Sequence, residues 1–163
     1  MDKLSEQILN AMNPEPPTTP AIRQNPAARL DHWTPAVLLE RAAYLRKLAA
    51  QGDGSAGETL AEYPGHCAML SYRNRSGMAE AHENFADLFL VLEGRATMVS
   101  GGTLADAKTT SPGEIRGNSV QGGARQEMRA GDVLHVPAGL PHQILVADEN
   151  SITSLVFKIP EKR

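Results

Sequence analysis

Two short stretches, residues 80–94 and 131–142, contain a set of four residues whose types and spacing suit metal binding. In the first stretch, an acidic residue and a histidine are two positions apart, so in an extended strand both side chains leave the same face. A second carboxylate follows after four intervening residues, and the second stretch ends in a histidine directly after a Pro-x-Gly-x-Pro bend. Two imidazoles and two carboxylates can together hold a divalent metal ion. The residues concerned are Glu80, His82, Asp87 and His142.

The composition limits both the kind of metal site and the partners. Cys67 is the only cysteine, which excludes an internal disulfide and a thiolate cluster and favours a reducing compartment. A site of imidazoles and carboxylates suits Mn²⁺, Fe²⁺, Zn²⁺ or Ni²⁺, and the carboxylates favour the first two. The 163 residues carry a formal charge of −3 without a basic cluster, so neither nucleic acid nor a membrane surface is the expected partner. Residues 1–9 match neither a secretory signal nor a membrane span, and we expect a cytoplasmic protein.

An amphipathic helix is predicted ahead of the two stretches. Thr34 and Pro35 have the residue types preferred at the N-cap and at the first helical position. Apolar residues then recur with helical spacing, and Gly52 is a typical stop. The pattern therefore predicts a helix over residues 35–50.

The residues before this helix predict an arm rather than part of a core. Residues 3–12 have the pattern of a short helix, and residues 13–26 carry five prolines, which favour an extended segment. That segment is either a flexible tail or an arm lying on a neighbouring subunit. The predicted organisation is an N-terminal arm over 1–33, the helix and its loop over 34–58, and a β-barrel over 59–163.

Short apolar runs alternate with turn residues in the rest of the chain, a rhythm typical of an antiparallel β-sandwich or small barrel. The run 87–93 is apolar on both faces, with Phe89 and Val91 on one side and leucines on the other. A barrel interior would cover the first face, and either the helix or a second subunit would cover the leucines. A homodimer is the expected assembly. The predicted strands are 59–63, 66–74, 78–82, 87–92, 95–100, 114–121, 125–129, 132–136, 142–147 and 152–159, with a longer hairpin or rim loop at 109–117.

Over residues 59–159 the chain resembles the cupin superfamily of small β-barrels. The family's first motif places a histidine, a glutamate and a glycine at the spacing found here for His82, Asp87 and Gly94. Its second motif, Gly, five residues, Pro-x-Gly, two residues and His, is matched in register by Gly131, Pro137, Gly139 and His142. The resemblance implies an antiparallel double-stranded β-helix, or jelly roll.

The chain departs from these motifs at several positions. Glu80 stands where the family usually has its first histidine, and Asp87 where it has glutamate. Because aspartate is shorter by one methylene, Asp87 either binds the ion directly or orients one of the histidines. Glu80 is on the correct face of its strand, and both ligation and solvation remain open for it. Val146 replaces the usual asparagine of the second motif, and Asn74 replaces the opening glycine of the first.

The resemblance implies that Glu80, His82, Asp87 and His142 hold a divalent metal ion inside the barrel. Cupins include dioxygenases, isomerases, decarboxylases, lyases and sugar-binding or sensory modules. We therefore expect a metal-dependent enzyme of oxygenase, isomerase or lyase type that acts on a small polar organic molecule. The alternatives are a non-catalytic binding or sensor module, with or without metal, and a stability or assembly protein that has lost the metal.

Other candidate residues have weaker support. His135 shares strand parity with Val133, whereas Leu134 and Val136 form the more apolar face, so His135 is expected at the surface. A group of arginines near strand ends is either solvated or lines the barrel mouth and meets an anionic substrate. These arginines are Arg73, Arg75 and Arg116.

Overall fold

The structure is a computed structural model that describes residues 23–24 and 30–161. Its helix, α1, spans Pro35–Gln51 and confirms the predicted helix to within one residue. It begins where the Thr34 Oγ1 accepts a hydrogen bond from the Val37 N–H at 3.3 Å. It ends where the N–H of Gly52 donates to the Ala49 carbonyl at 3.2 Å. The buried face of the helix consists of Leu38, Ala42, Leu45 and Ala49.

Thirteen strands lie in the described part of the chain, and they confirm the all-β class with a single helix before the barrel. The predicted helix at 3–12 falls outside the described residues, as does most of the proline-rich segment. The described part of that segment is a two-residue strand parallel to the next one. The strands are β1 Arg23–Gln24, β2 Ser55–Tyr63, β3 His66–Arg73, β4 Ala79–His82, β5 Phe85–Ser100, β6 Thr103–Ala105, β7 Lys108–Ser111, β8 Glu114–Gly117, β9 Ser119–Gln121, β10 Ala124–Arg129, β11 Val133–Val136, β12 His142–Leu145 and β13 Ile152–Pro160.

The long strand β5 connects the two halves of a curled, mostly antiparallel sheet. Its first half pairs with β13 and β11, and its second half pairs with β12 and β10. The main path through the sheet is β1-β2-β3-β13-β5-β12-β4-β8-β7, with β10 and β11 joined to β5 beside it, and β6 pairs with β9 in a small separate sheet. This order brings β4, β5 and β12, which carry the four candidate residues, next to one another.

Two of the predicted boundaries between strands are wrong. The sequence predicts two strands, 87–92 and 95–100, separated by Gly94, but β5 runs through them without interruption. Gly94 has a φ of 81° and allows the strand to bend from one half of the sheet to the other. Conversely, the predicted strand 114–121 is divided into β8 and β9, which pair with different partners. The segment 109–117 forms the β7–β8 hairpin, one of the two alternatives predicted for it.

Gly94→Ala is expected to destabilise the fold by more than about 3 kcal/mol. Alanine would be strained at a φ of 81°, and its Cβ would also collide with the Ser151 carbonyl. That carbonyl is held in place because it accepts a hydrogen bond from the Arg95 N–H at 2.9 Å. Gly101 is the matched control, because it has the same φ of 81° and an added Cβ there would meet no atom of residues 23–24 or 30–161 within 4 Å. Gly101→Ala should therefore cost only the backbone strain, about 1 kcal/mol. Equal losses in urea unfolding would contradict a packing role for Gly94.

The interior contains two apolar clusters, one on each side of the β3–β13–β5 sheet. The helix-side cluster packs α1 against β2 and β3, with Leu70 and Tyr72 among its buried members. The second cluster, on the barrel side of the sheet, lies between the two halves of β5 and includes Phe89, Val91 and Met128. The outer leucines predicted to need a cover receive it only in part, since Leu92 packs against the helix-side cluster while Leu90 is 36% exposed. No helix of the described residues is long and apolar enough to span a membrane.

Candidate metal centre

The candidate residues occupy the ends of three neighbouring strands. Glu80 and His82 project from the same face of β4, and His142, the first residue of β12, pairs directly with Glu80. Asp87 lies near the start of β5. The Pro137–Gly139 bend is fixed against β4, because the Gly139 N–H donates to the His82 carbonyl at 2.6 Å. Strand pairing and this bend together bring side chains from two distant stretches of sequence to one point.

The structure brings all four predicted residues together. Each offers one potential metal-ligand atom, a histidine nitrogen or a carboxylate oxygen, and these four atoms lie within 4.8 Å of one another. The Asp87 Oδ2 is 3.2 Å from the His82 Nε2 and 3.6 Å from the His142 Nε2. Glu80 Oε1 is 3.4 Å from the His142 Nε2, and Glu80 Oε2 is 4.0 Å from the His82 Nε2. Two ligands that are each about 2.1 Å from one ion lie about 3–4 Å apart, so these separations suit a shared cation.

The outer nitrogen of each imidazole has a fixed partner. His82 Nδ1 is 2.7 Å from Oε2 of Glu114, and His142 Nδ1 is 3.0 Å from the carbonyl of Leu140. A carbonyl only accepts hydrogen bonds, so His142 carries its proton on Nδ1, and the Glu114 carboxylate favours the same tautomer for His82. Both Nε2 lone pairs therefore face the carboxylates. Such partners on the outer nitrogen are typical of metal-binding histidines.

A cluster of lone pairs and carboxylate oxygens in the interior requires a cation, because neither type of group can donate a hydrogen bond to the other. His142 is only 1% exposed, and its Nε2 has no hydrogen-bond partner among the described residues. His82 and Asp87 are each 2% exposed. The donor set, its spacing and this unpartnered buried nitrogen all fit a divalent metal ion.

Lys158 on β13 supplies one positive charge to the cluster. Its Nζ donates to the His82 Nε2 at 2.9 Å and to the Asp87 Oδ1 at 3.0 Å. Burial alone would raise the pKa of the Asp87 carboxyl. The positive charge of Lys158 outweighs this effect and holds that pKa well below its usual range. Asp87 is therefore ionised in the folded protein.

The carboxylate of Glu80 is held from the opposite side by Arg116, whose Nη1 forms an ion pair with Oε2. Arg116 and Glu114 alternate along β8 and lie opposite Glu80 and His82 of β4, respectively. The Arg116 Nη2 is also 3.8 Å from the Glu114 Oε2. The β7–β8 hairpin thus positions both an acid and a histidine of the cluster.

Sequence reasoning did not assign roles to Glu114 and Lys158. Lys158 lies on the same face of β13 as Ile152, Ser154 and Val156, which point inward. A charged residue on this face indicates a role inside the barrel, so the sequence pattern could have identified Lys158. Glu114 gave no such signal, because its contact with His82 depends on the pairing of β8 with β4. The histidines outside the cluster are exposed, as expected for His135; they are His32, His66 and His135.

No protein-family model matches the chain, and no curated protein does so either. Among solved structures, the chain is similar to the polyketide cyclase RemF from Streptomyces resistomycificus, at 18% identity and a TM-score of 0.48. That match covers 66% of this chain and 65% of RemF. It is also similar to KdgF from Halomonas sp., at 15% identity and a TM-score of 0.48 over 68% of this chain and 84% of that one.

A cupin 2 conserved barrel domain protein from Salinispora arenicola CNS-205 is similar at 17% identity and a TM-score of 0.46, over 66% of this chain and 77% of that one. A cupin barrel domain is thus among the solved structures to which this chain is similar. What the site can do chemically depends on this chain's own residues.

Proposed function

We propose that this protein is a metal-dependent enzyme of cupin type that acts on a small polar organic molecule. The observation that carries the proposal is the meeting of Glu80, His82, Asp87 and His142, with one donor atom each within 4.8 Å of the others. In this proposal the two Nε2 atoms and the two carboxylates hold Mn²⁺, Fe²⁺, Zn²⁺ or Ni²⁺, and the carboxylates favour Mn²⁺ or Fe²⁺. The reaction would be of oxygenase, isomerase or lyase type.

When bound there, a divalent ion supplies Lewis acidity to an oxygen atom of the substrate. The chain's own residues prepare the site for this role. Glu114 and the Leu140 carbonyl fix the orientation of the imidazoles, and the ion pair with Arg116 holds Glu80 in place. Glu80, with a side chain 21% exposed, is the more accessible carboxylate and is the one that a substrate can approach as a proton acceptor.

The apolar interior excludes water from one side of the cluster. Phe89 and Val91 follow Asp87 on the inward face of β5, and they are 5% and 1% exposed. Electrostatic contacts are stronger beside such a wall than in water, because the local dielectric constant is lower. The wall therefore strengthens both the binding of a cation and its effect on a bound molecule.

The alternative, a non-catalytic binding or sensor module without metal, is favoured by one observation. The Nζ of Lys158, at 2.9 Å from the His82 Nε2 and 3.0 Å from the Asp87 Oδ1, already supplies a cation to the cluster. In that case Lys158 permanently neutralises Asp87, and the barrel holds a small molecule without chemistry.

Metal analysis of protein purified without an affinity tag separates the two proposals. We expect about one equivalent of a divalent transition metal per chain, or uptake of one equivalent on titration. A metal-anomalous diffraction map would then identify the ion and its ligands together. Absence of binding at saturating Mn²⁺, Fe²⁺, Zn²⁺ and Ni²⁺ would reject the enzyme proposal. With metal bound, oxygen consumption and product formation in a substrate panel would distinguish an enzyme from a metal-containing sensor.

A further inference from the structure

A cavity of about 360 Å³ adjoins the cluster on the side where Arg116 contacts Glu80. It lies between the start of β2, the end of β3 with the turn that follows, and β8. Three guanidinium groups line it, those of Arg73, Arg75 and Arg116, and Asp53 is the one carboxylate among its lining residues. A larger cavity, of about 780 Å³, is lined by the middle of β5, the end of β10 and the loop between β12 and β13. None of the four cluster residues lines it.

Arg73 is a partly buried cation that forms no direct ion pair within the part of the chain that the structure describes. Arg73 lies on the same face of β3 as Met69, which points into the barrel. Leu70 and Tyr72 lie on the other face of that strand and pack toward the helix. The Arg73 Nε is buried and has no hydrogen-bond partner, and the guanidinium makes no ion pair among the described residues. Asp53 stabilises the charge of Arg73 only from a distance, since no ion pair joins the two side chains, and its Oδ1 accepts from the N–H and the Oγ of Ser55 at 3.0 and 2.8 Å. A charge removed from water without a partner is unfavourable, and an anion would compensate it.

Gly77 makes room for this guanidinium. A Cβ at Gly77 would collide with Nη1 of Arg73. The backbone of Gly77 cannot easily move away, because its N–H donates to the Ile144 carbonyl at 3.0 Å and its carbonyl accepts from the Gln143 Nε2 at 2.8 Å. Arg73 is therefore held against a fixed glycine at the cavity wall rather than extended into solvent.

Arg116 is the second cation at this cavity, since it lines the same space as Arg73. Because Arg116 also contacts Glu80, it connects the cavity directly to the candidate metal centre. A molecule with one end between the two arginines would extend its other end toward Glu80.

We propose that Arg73 and Arg116 form an oxyanion subsite that binds a carboxylate or phosphate group of the substrate. Guanidinium groups bind both anions through paired, charge-assisted hydrogen bonds. The role of the subsite in positioning a substrate rests on the proposed function. The binding of an anion there does not, since it requires no metal.

The test is calorimetric titration of the metal-free, chelator-treated protein with inorganic phosphate and, separately, with acetate. The titrations are run against chloride at matched ionic strength. We expect saturable binding of one equivalent of at least one of the two anions, and the stronger binder identifies the preferred group. Arg73→Met should weaken this binding at least tenfold. Arg125→Met, at an exposed position of β10, is the matched control and should leave it unchanged.

Folding of the variant is checked by thermal unfolding. Because Arg73→Met removes an unpaired charge, it should not lower the unfolding midpoint measured without anion. Gly77→Ala retains every charge but displaces the guanidinium, and it should also weaken binding. Absence of saturable binding of both anions to the wild type, or equal binding by Arg73→Met and Arg125→Met, would overturn the proposal.

The same titration separates the subsite from the metal centre. His142→Ala should keep anion binding, since His142 does not line the cavity. If the wild type binds anion but no metal, the subsite stands and the proposed function fails. If it binds metal but neither anion, the proposed function stands and the subsite fails.

Discussion

His142→Ala is expected to remove the metal ion while the barrel remains folded. The imidazole is almost completely buried, and its Nε2 faces Glu80 at 3.4 Å and Asp87 at 3.6 Å without a hydrogen-bond partner in the described part of the chain. Loss of a partner that merely orients a ligand lowers metal affinity about 10- to 100-fold, so loss of a ligand should cost at least about 100-fold. Metal content after dialysis and a competitive chelator titration measure the effect. His82→Ala should give the same result.

The control for both variants is His135→Ala, which removes an exposed imidazole from β11 and should retain one equivalent of metal. Circular dichroism should show an unchanged β-structure for all three proteins, because the main cores are formed by other residues. A full equivalent of metal in both His82→Ala and His142→Ala would contradict the proposed site. Loss of metal from His135→Ala as well would indicate a general effect on folding rather than loss of a ligand.

The proximity of the four candidate residues could be predicted in part from two local rules, which determine the direction of individual side chains. Strand parity places Glu80 and His82 on one face, and the Pro-x-Gly-x-Pro bend directs His142 back toward them. Both rules act over a few residues and need no knowledge of the rest of the fold. The resemblance to a known pair of motifs then supplied the long-range step, which joined the two stretches.

The rest of the site depends on strand pairing that no local pattern specifies. Glu114 reaches His82 only because β8 is paired with β4, and Lys158 reaches Asp87 only because β13 is paired with β5. The continuity of β5 was missed for a related reason. Gly94 has the residue type of a turn, but hydrogen bonding on both sides keeps the strand intact through it. Tertiary pairing therefore decided what local propensity could not.

Lys158→Met is expected to increase metal affinity by about tenfold or more while it destabilises the metal-free protein. The Nζ lies 2.9 Å from the His82 Nε2 and 3.0 Å from the Asp87 Oδ1, so an ion that uses the same Nε2 must displace it. Lys158 has a side chain 26% exposed, which gives it a route to solvent. Methionine keeps the length of the side chain and removes the competing charge.

Without metal, the same substitution leaves the Asp87 carboxylate, 3% exposed, without its cationic partner. Removing one partner of a buried ion pair costs about 3 kcal/mol, so urea unfolding of the metal-free variant should occur at a lower midpoint than in the wild type. Saturating metal should reduce that difference by about 1.4 kcal/mol for a tenfold gain in affinity, because the variant binds the ion more tightly than the wild type. Lys47→Met on the exposed face of α1 is the control and should change neither quantity. Unchanged metal affinity in Lys158→Met would show that the lysine and the ion do not compete, whereas unchanged stability of the metal-free variant would show that Lys158 does not compensate Asp87.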